Sequence, residues 1–274
     1  MNAMKEQCML AVAILLAGCG SGSDSGDVSV VETDGPDGPA RYTTSQPLLD
    51  NSSASAYKVL LMGNSHAAGL NSVLPDVLAL GQPDKPIEVR LSSSSGFLAD
   101  RVNDGSSEQD LEREPWTHVI LQAQKYSTTG SLSYPTDAAE YWIRGSKEQG
   151  ATPIMFPEHP RRGNTWEGRT LWELHTGIAM RENTCVAPVG PVWDEVLFRA
   201  PSLVLHQPDG NHASRTGALL TALVFYPIIT GQPVQSLPEL SAFGIDAETE
   251  QVMKESVSAM LYIHPPCNFE PAIF

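Results

Sequence analysis

The sequence predicts a three-layer α/β/α sandwich around a five-stranded parallel sheet. Two observations carry the prediction: short apolar runs recur from residue 57 onward, and longer amphipathic stretches separate each run from the next. Strands interleaved with helices need crossover connections, which give a parallel sheet covered on both faces. The chain has 274 residues, 41% of them hydrophobic and 18% charged, enough for one large core.

Taken in order, Tyr57–Met62 (YKVLLM) is the first strand, followed by a helical stretch near residues 67–80. Ile87–Leu91 and His118–Leu121 are the next two strands. Residues 136–149 read as a helix, Thr152–Phe156 as the fourth strand, residues 165–182 as a helix and Cys185–Val189 as the fifth strand. A short helix over 192–199 follows. Residues 212–230 form an apolar helix with Leu219, Leu220, Leu223 and Val224 inward, which Pro227 should kink or end. Residues 248–262 close the domain, which spans 57–274. In such a sheet, sites form outside the carboxyl ends of the strands.

Ahead of the domain lies a different composition. Met9–Leu16 (MLAVAILL) is an unbroken apolar run, the size of a signal-peptide core and too short for a bilayer span. It ends in Leu16-Ala17-Gly18-Cys19, which resembles the lipobox of bacterial lipoproteins. That resemblance implies a signal peptide over 1–18, removal of Cys8 with it, and lipidation of Cys19. The protein is then expected to be exported and held by its lipid on a bacterial envelope membrane, on the periplasmic side. Gly20 in place of Asp after the lipidated Cys is compatible with outer-membrane sorting. Residues 19–56, rich in Gly, Ser, Asp and Pro, read as a flexible acidic tether.

Charge excludes several functions. With 17 Lys plus Arg against 32 Asp plus Glu, the net charge is −15, and no basic block interrupts it. Nucleic acid is therefore not an expected partner. No apolar run reaches about 18 residues, which excludes a polytopic membrane protein. No tight His or Cys spacing suggests a metal, and no Gly-rich loop opens a nucleotide site, so no cofactor is expected.

Two short motifs carry chemistry. Gly63-Asn64-Ser65-His66 follows the first strand, where Ser65 either caps a helix or presents a nucleophile. Asp209-Gly210-Asn211-His212 precedes the long apolar helix, and a carboxylate three residues ahead of an imidazole can fix its tautomer. The predicted topology brings both to one sheet edge.

This G-N-S near the start and D-x-x-H before the last long apolar helix resemble the SGNH (GDSL-like) hydrolase superfamily, over residues 57–232. The resemblance implies a flavodoxin-like fold and a triad of Ser65 as nucleophile, His212 as base and Asp209 as its orienter. It further implies an oxyanion hole from the Ser65 N–H, the Gly96 N–H after the second strand, and an amide after the third. There the family's Asn is absent; Leu121-Gln122-Ala123-Gln124 stands instead, so Gln122 or Gln124 takes the role. The expected activity is cleavage of a carboxylic ester, with a small acyl group on a carbohydrate as the expected substrate. Two rivals stay open: an O-acyltransferase acting on glycan, and a surface-anchored binding lipoprotein without catalysis.

Some residues stay open at this level. His66 either lines the site mouth or faces solvent. In Glu158-His159-Pro160-Arg161-Arg162 an Arg could hold an anion, although a solvated loop is commoner. Trp166, Trp172 and Trp193 read as core, and nothing marks His206 as catalytic. Cys185 and Cys267 would remain in an oxidising compartment and are candidates for a disulfide. The oligomeric state is not legible.

Overall fold

The structure, a computed structural model, describes residues 29–30 and 41–269. Seven strands occur among these: β1 (Ser29–Val30), β2 (Tyr57–Met62), β3 (Ile87–Leu91), β4 (His118–Gln122), β5 (Leu132–Ser133), β6 (Thr152–Phe156) and β7 (Cys185–Val186). Five form the main sheet, in the order β3-β2-β4-β6-β7 and all parallel. Taken by chain order within that sheet, the arrangement is second-first-third-fourth-fifth, the doubly wound order that reverses direction beside its first strand. The register pairs Met62 with Leu121 and Gln122 with Phe156, so the loops after β2, β4 and β6 emerge side by side.

Nine helices cover the sheet among the described residues: α1 (Ser65–Asn71), α2 (Leu74–Gly81), α3 (Leu98–Arg101), α4 (Ser106–Glu112), α5 (Asp137–Glu148), α6 (Glu167–Arg181), α7 (Val189–Arg199), α8 (Arg215–Thr230) and α9 (Ala247–Ile263). Alternation along a strand sends successive side chains to opposite faces. Val59 and Leu61 join the core under α1, α2, α7, α8 and α9, whereas Leu60 and Met62 join a second core under α3, α4 and α5. The central strands β4 and β6 are therefore buried on both faces, whereas the edge strand β3, with Glu88 and Arg90, is only half-buried.

Several expectations change at this level. The helix expected near 67–80 is two helices, α1 and α2, with Pro75 in the first turn of the second, where its missing N–H costs nothing. Helices α3 and α4, short and polar, carried no apolar period to betray them. Pro227 does not end α8, which runs to Thr230 and stops at Gly231 in the left-handed conformation. Ile228 and Ile229 are buried and hold that last turn in place.

The expected tether ends earlier than residue 56. Tyr42 is fully buried in the second core, in space left free by Gly145, and its hydroxyl donates to Glu112. Asn51 donates to the carbonyls of Thr117 and Gly150, each at 2.9 Å. Residues 41–56 thus strap the amino-terminal edge of the sheet, held by one buried aromatic in a stretch otherwise low in apolar residues. Further upstream, β1 pairs in parallel with β5. The expected signal peptide and Cys19 lie outside the described residues.

At the opposite chain end, Cys185 of β7 and Cys267 form a disulfide. The Val186 N–H donates to Pro266 at 2.7 Å, so the segment after α9 lies beside β7. Among the described residues no helix is long and apolar enough to cross a membrane.

Candidate active site

The chain leaves β2 through Gly63. A Cβ there would collide with Gln122 Oε1 and with Ala67, so only glycine fits. Asn64 caps α1 by accepting the His66 N–H, which leaves Ser65 as the first residue of the helix with its side chain exposed. The cap role weighed for Ser65 thus belongs to Asn64. The Ser65 N–H, in the first helical turn, has no intrahelical acceptor.

Ser65 Oγ lies 2.8 Å from His212 Nε2, and His212 Nδ1 lies 2.6 Å from Asp209 Oδ2. The Asp209 carboxylate also accepts the N–H groups of Asn211 and His212. These bonds, first among them the one with the His212 side chain, hold the carboxyl well below the usual carboxylate range. A carboxylate at Nδ1 assigns the proton there and leaves Nε2 as the acceptor facing Ser65. Side-chain exposures of 34% for His212 and 47% for Asp209 make this an open site.

The loop that carries Asp209 and His212 is fastened from behind. The Arg162 N–H donates to Gly210 at 2.8 Å, and its guanidinium donates to the carbonyls of His206 and Gln207. His206 is bonded through Nε2 to the Pro160 carbonyl at 2.8 Å. Arg161 makes a two-nitrogen contact with Glu167, with Nε at 3.0 Å and Nη2 at 2.7 Å from the same oxygen. Both arginines are committed to protein partners, so the anion role weighed for them finds no support.

His66 is neither a bystander nor solvent-facing. Its ring stacks on His212 with centroids 5.3 Å apart and planes 22° apart, and meets His159 edge-on at 5.1 Å. Burial, reinforced by His212, pushes its pKa down to about 4, so the base is flanked by a neutral ring. His159 is buried against Trp193, with centroids 4.0 Å apart. Trp193 is core as expected, whereas Trp166 is 46% exposed.

The loop after β3 reaches the same place. Gly96, at φ +151°, points its N–H at the Gly63 carbonyl over 3.4 Å, a bond at the outer limit of useful length. Behind it stands Arg101, only 1% exposed, which the sequence did not single out. Its Nη2 donates to the Gly63 carbonyl at 2.5 Å and the Ser94 carbonyl at 2.6 Å, and Nη1 donates to Ser92 and Ser107. One guanidinium thereby ties the Gly63–Asn64 turn to the Ser-rich loop. Asp110 accepts from Ser92 and Ser93 and completes the scaffold.

Both glutamines direct their amides to protein partners. Gln124 Nε2 donates to the carbonyls of Lys125 and Pro135, which turns it away. Gln122 is fully buried; its Oε1 accepts the Asn64 N–H at 2.8 Å, and its Nε2 donates to Glu158 at 2.9 Å. Its amide supports the Gly63–Asn64 turn from below. Among the described residues no group of three or more His, Cys, Asp or Glu side chains is placed to hold a metal ion.

Fold and site together define the class: a doubly wound α/β protein with a Ser-His-Asp constellation on the carboxyl edge of its sheet. A protein of the DUF4886 family from Bacteroides uniformis shares the fold, with a TM-score of 0.63 at 12% identity over 78% of this chain and 98% of that one. A protein from Slackia heliotrinireducens, described as a candidate SGNH hydrolase, aligns with a TM-score of 0.48 at 24% identity over 64% of this chain and 99% of its own. The psychrotrophic esterase EstA from Pseudoalteromonas sp. aligns with a TM-score of 0.46 at 16% identity over 64% of this chain and 97% of its own. No family model matches the chain, and neither does any curated protein.

Proposed function

We propose that the protein is a serine esterase of the SGNH type that works through an acyl-enzyme. The observation that carries this reading is the unbroken line from Ser65 Oγ through the His212 ring to Asp209, with bonds of 2.8 and 2.6 Å. Ser65 Oγ attacks the ester carbonyl carbon as its proton passes to His212 Nε2. The Asp209 carboxylate stabilises the imidazolium so formed. The tetrahedral oxyanion takes the Ser65 N–H and the Gly96 N–H, whose long bond to Gly63 is readily given up. His212 then protonates the leaving alcohol oxygen. Water attacks the Ser65 acyl ester, giving its proton to His212; the acyl–Oγ bond then breaks, His212 returns the proton to Ser65 Oγ, and the acid leaves.

An open triad suits an ester carried on a large alcohol, in line with a small acyl group on a carbohydrate. Anchoring through Cys19 would present the site to such a substrate on the periplasmic side of an envelope membrane. Hydrolysis of p-nitrophenyl acetate, butyrate and octanoate by the full chain in detergent, beside Ser65→Ala, tests the chemistry. Activity lost with Ser65 and falling with chain length is the expected result. Turnover that survives Ser65→Ala would overturn it.

A further inference from the structure

Glu158 reaches the Gly63–Asn64 turn through Gln122. It sits two residues beyond β6, part-buried, and its Oε2 accepts the Gln122 Nε2 donor at 2.9 Å. Gln122 closes β4, and its Oε1 accepts the N–H of Asn64, the residue directly before Ser65. Gly63 leaves the space that this oxygen occupies. A primary amide fits either way round, with nearly the same shape and opposite hydrogen-bonding sense. Turned over, it would set Nε2 against the Asn64 N–H, two donors without an acceptor, and Oε1 against the carboxylate, two acceptors without a proton. A carboxylate can only accept, so it selects one orientation.

We propose that Glu158 is a positioning residue that locks the Gln122 amide and, through the Asn64 N–H, sets the placement of Ser65. This rests on the esterase reading for its kinetic consequence, although not for the geometry itself. The surroundings make the lock sensitive to pH. Burial pushes the Glu158 carboxyl up to about 7, against the Gln122 bond, which lowers it. Glu167 of α6 raises it and Arg161 of the preceding loop lowers it; the Tyr126 phenol, from the loop after β4, stands nearby and donates to Glu167. From α1, His66 stays neutral over this range. Protonation replaces a charge-assisted bond by an ordinary one, roughly halving its strength. Ser65 is then held less firmly below neutral pH.

The test joins nuclear magnetic resonance to kinetics on the full chain and on Glu158→Gln, which keeps shape and an acceptor but cannot ionise. In the unsubstituted chain, the Asn64 backbone amide and the Gln122 side-chain amide should titrate together near neutral pH. In Glu158→Gln that shared titration should vanish. The kcat for p-nitrophenyl acetate should fall about tenfold with KM within about twofold, the size typical of losing a partner behind a catalytic group. The acid limb of kcat should lose one ionisation. Amide signals that do not titrate together, or wild-type kcat in Glu158→Gln, would overturn the proposal. A protein without Ser65-dependent hydrolysis would sink the esterase reading alone, because the amide titration decides the Glu158 lock by itself.

Discussion

The two supports of Ser65 are built differently. On the solvent side, His212 and Asp209 come from one four-residue motif, their side chains 34% and 47% exposed, joined by local hydrogen bonds. On the protein side, the Gly63–Asn64 turn is held by Arg101 from α3 and Gln122 from β4, both almost wholly buried and far apart in sequence. In the proposed reaction the exposed half moves protons, while the buried half moves none and holds the turn that carries the hydroxyl. Chemistry and stability should therefore separate cleanly when each half is altered.

The largest expected effect lies on the exposed half. Ser65→Ala should lower kcat for p-nitrophenyl acetate by about six orders of magnitude, the cost of removing a triad nucleophile. Urea unfolding should show the same midpoint, because an exposed hydroxyl contributes little to stability. The buried half should answer the other way. Arg101→Leu strands the Gly63 and Ser94 carbonyls and should destabilise the fold by about 3 kcal/mol, seen as a lower urea midpoint.

The strap over residues 41–56 sharpens the same contrast far from the site. A chain beginning at residue 41 should unfold like the full chain, whereas one beginning at 57 should lose several kcal/mol, about 3–5 from Tyr42 alone. Circular dichroism melts compare the two directly. The smallest expected effect is the pH dependence of Glu158. Its folded pKa of about 7 lies above the ordinary 4.5, so the native state holds the proton more tightly than the unfolded chain. Stability from this group is then present below the ordinary value and is lost as pH rises through about 7. Glu158→Gln should gain about 1–3 kcal/mol over wild type at pH 8 and nothing at pH 4. Such a variant is more stable and slower, which a purely structural role would not produce.

What was legible in the sequence follows the same division. The central strands stand out through the apolar runs Val59–Met62, Val119–Leu121 and Ile154–Phe156, the edge strand Ile87–Leu91 through alternation, and Ser65, Asp209 and His212 through two short motifs. The fifth strand stops at Val186 rather than the expected Val189, because α7 begins at Val189. The first departure is α3 and α4, whose Leu98 and Leu111 are too few to set a period. Arg101 was missed because a buried guanidinium looks like any surface Arg until its carbonyl partners are brought to it by the fold. Gln122 and Gln124 stand where the sequence places an amide, and the structure turns those amides to protein partners. The direction of an amide is decided by Asn64, Glu158 and Pro135, which no local spacing reveals. Tyr42 was lost in a polar stretch, where a single aromatic carries too little hydrophobic signal to read as anchored.

The central claim is that Ser65 is a nucleophile activated by His212. Intact-mass measurement after exposure to a fluorophosphonate tests it without any choice of substrate. One phosphonyl group per chain, mapped to Ser65 and absent in both Ser65→Ala and His212→Ala, is the predicted result. An unmodified wild-type chain that is fully folded, or a label that persists in Ser65→Ala, would contradict it.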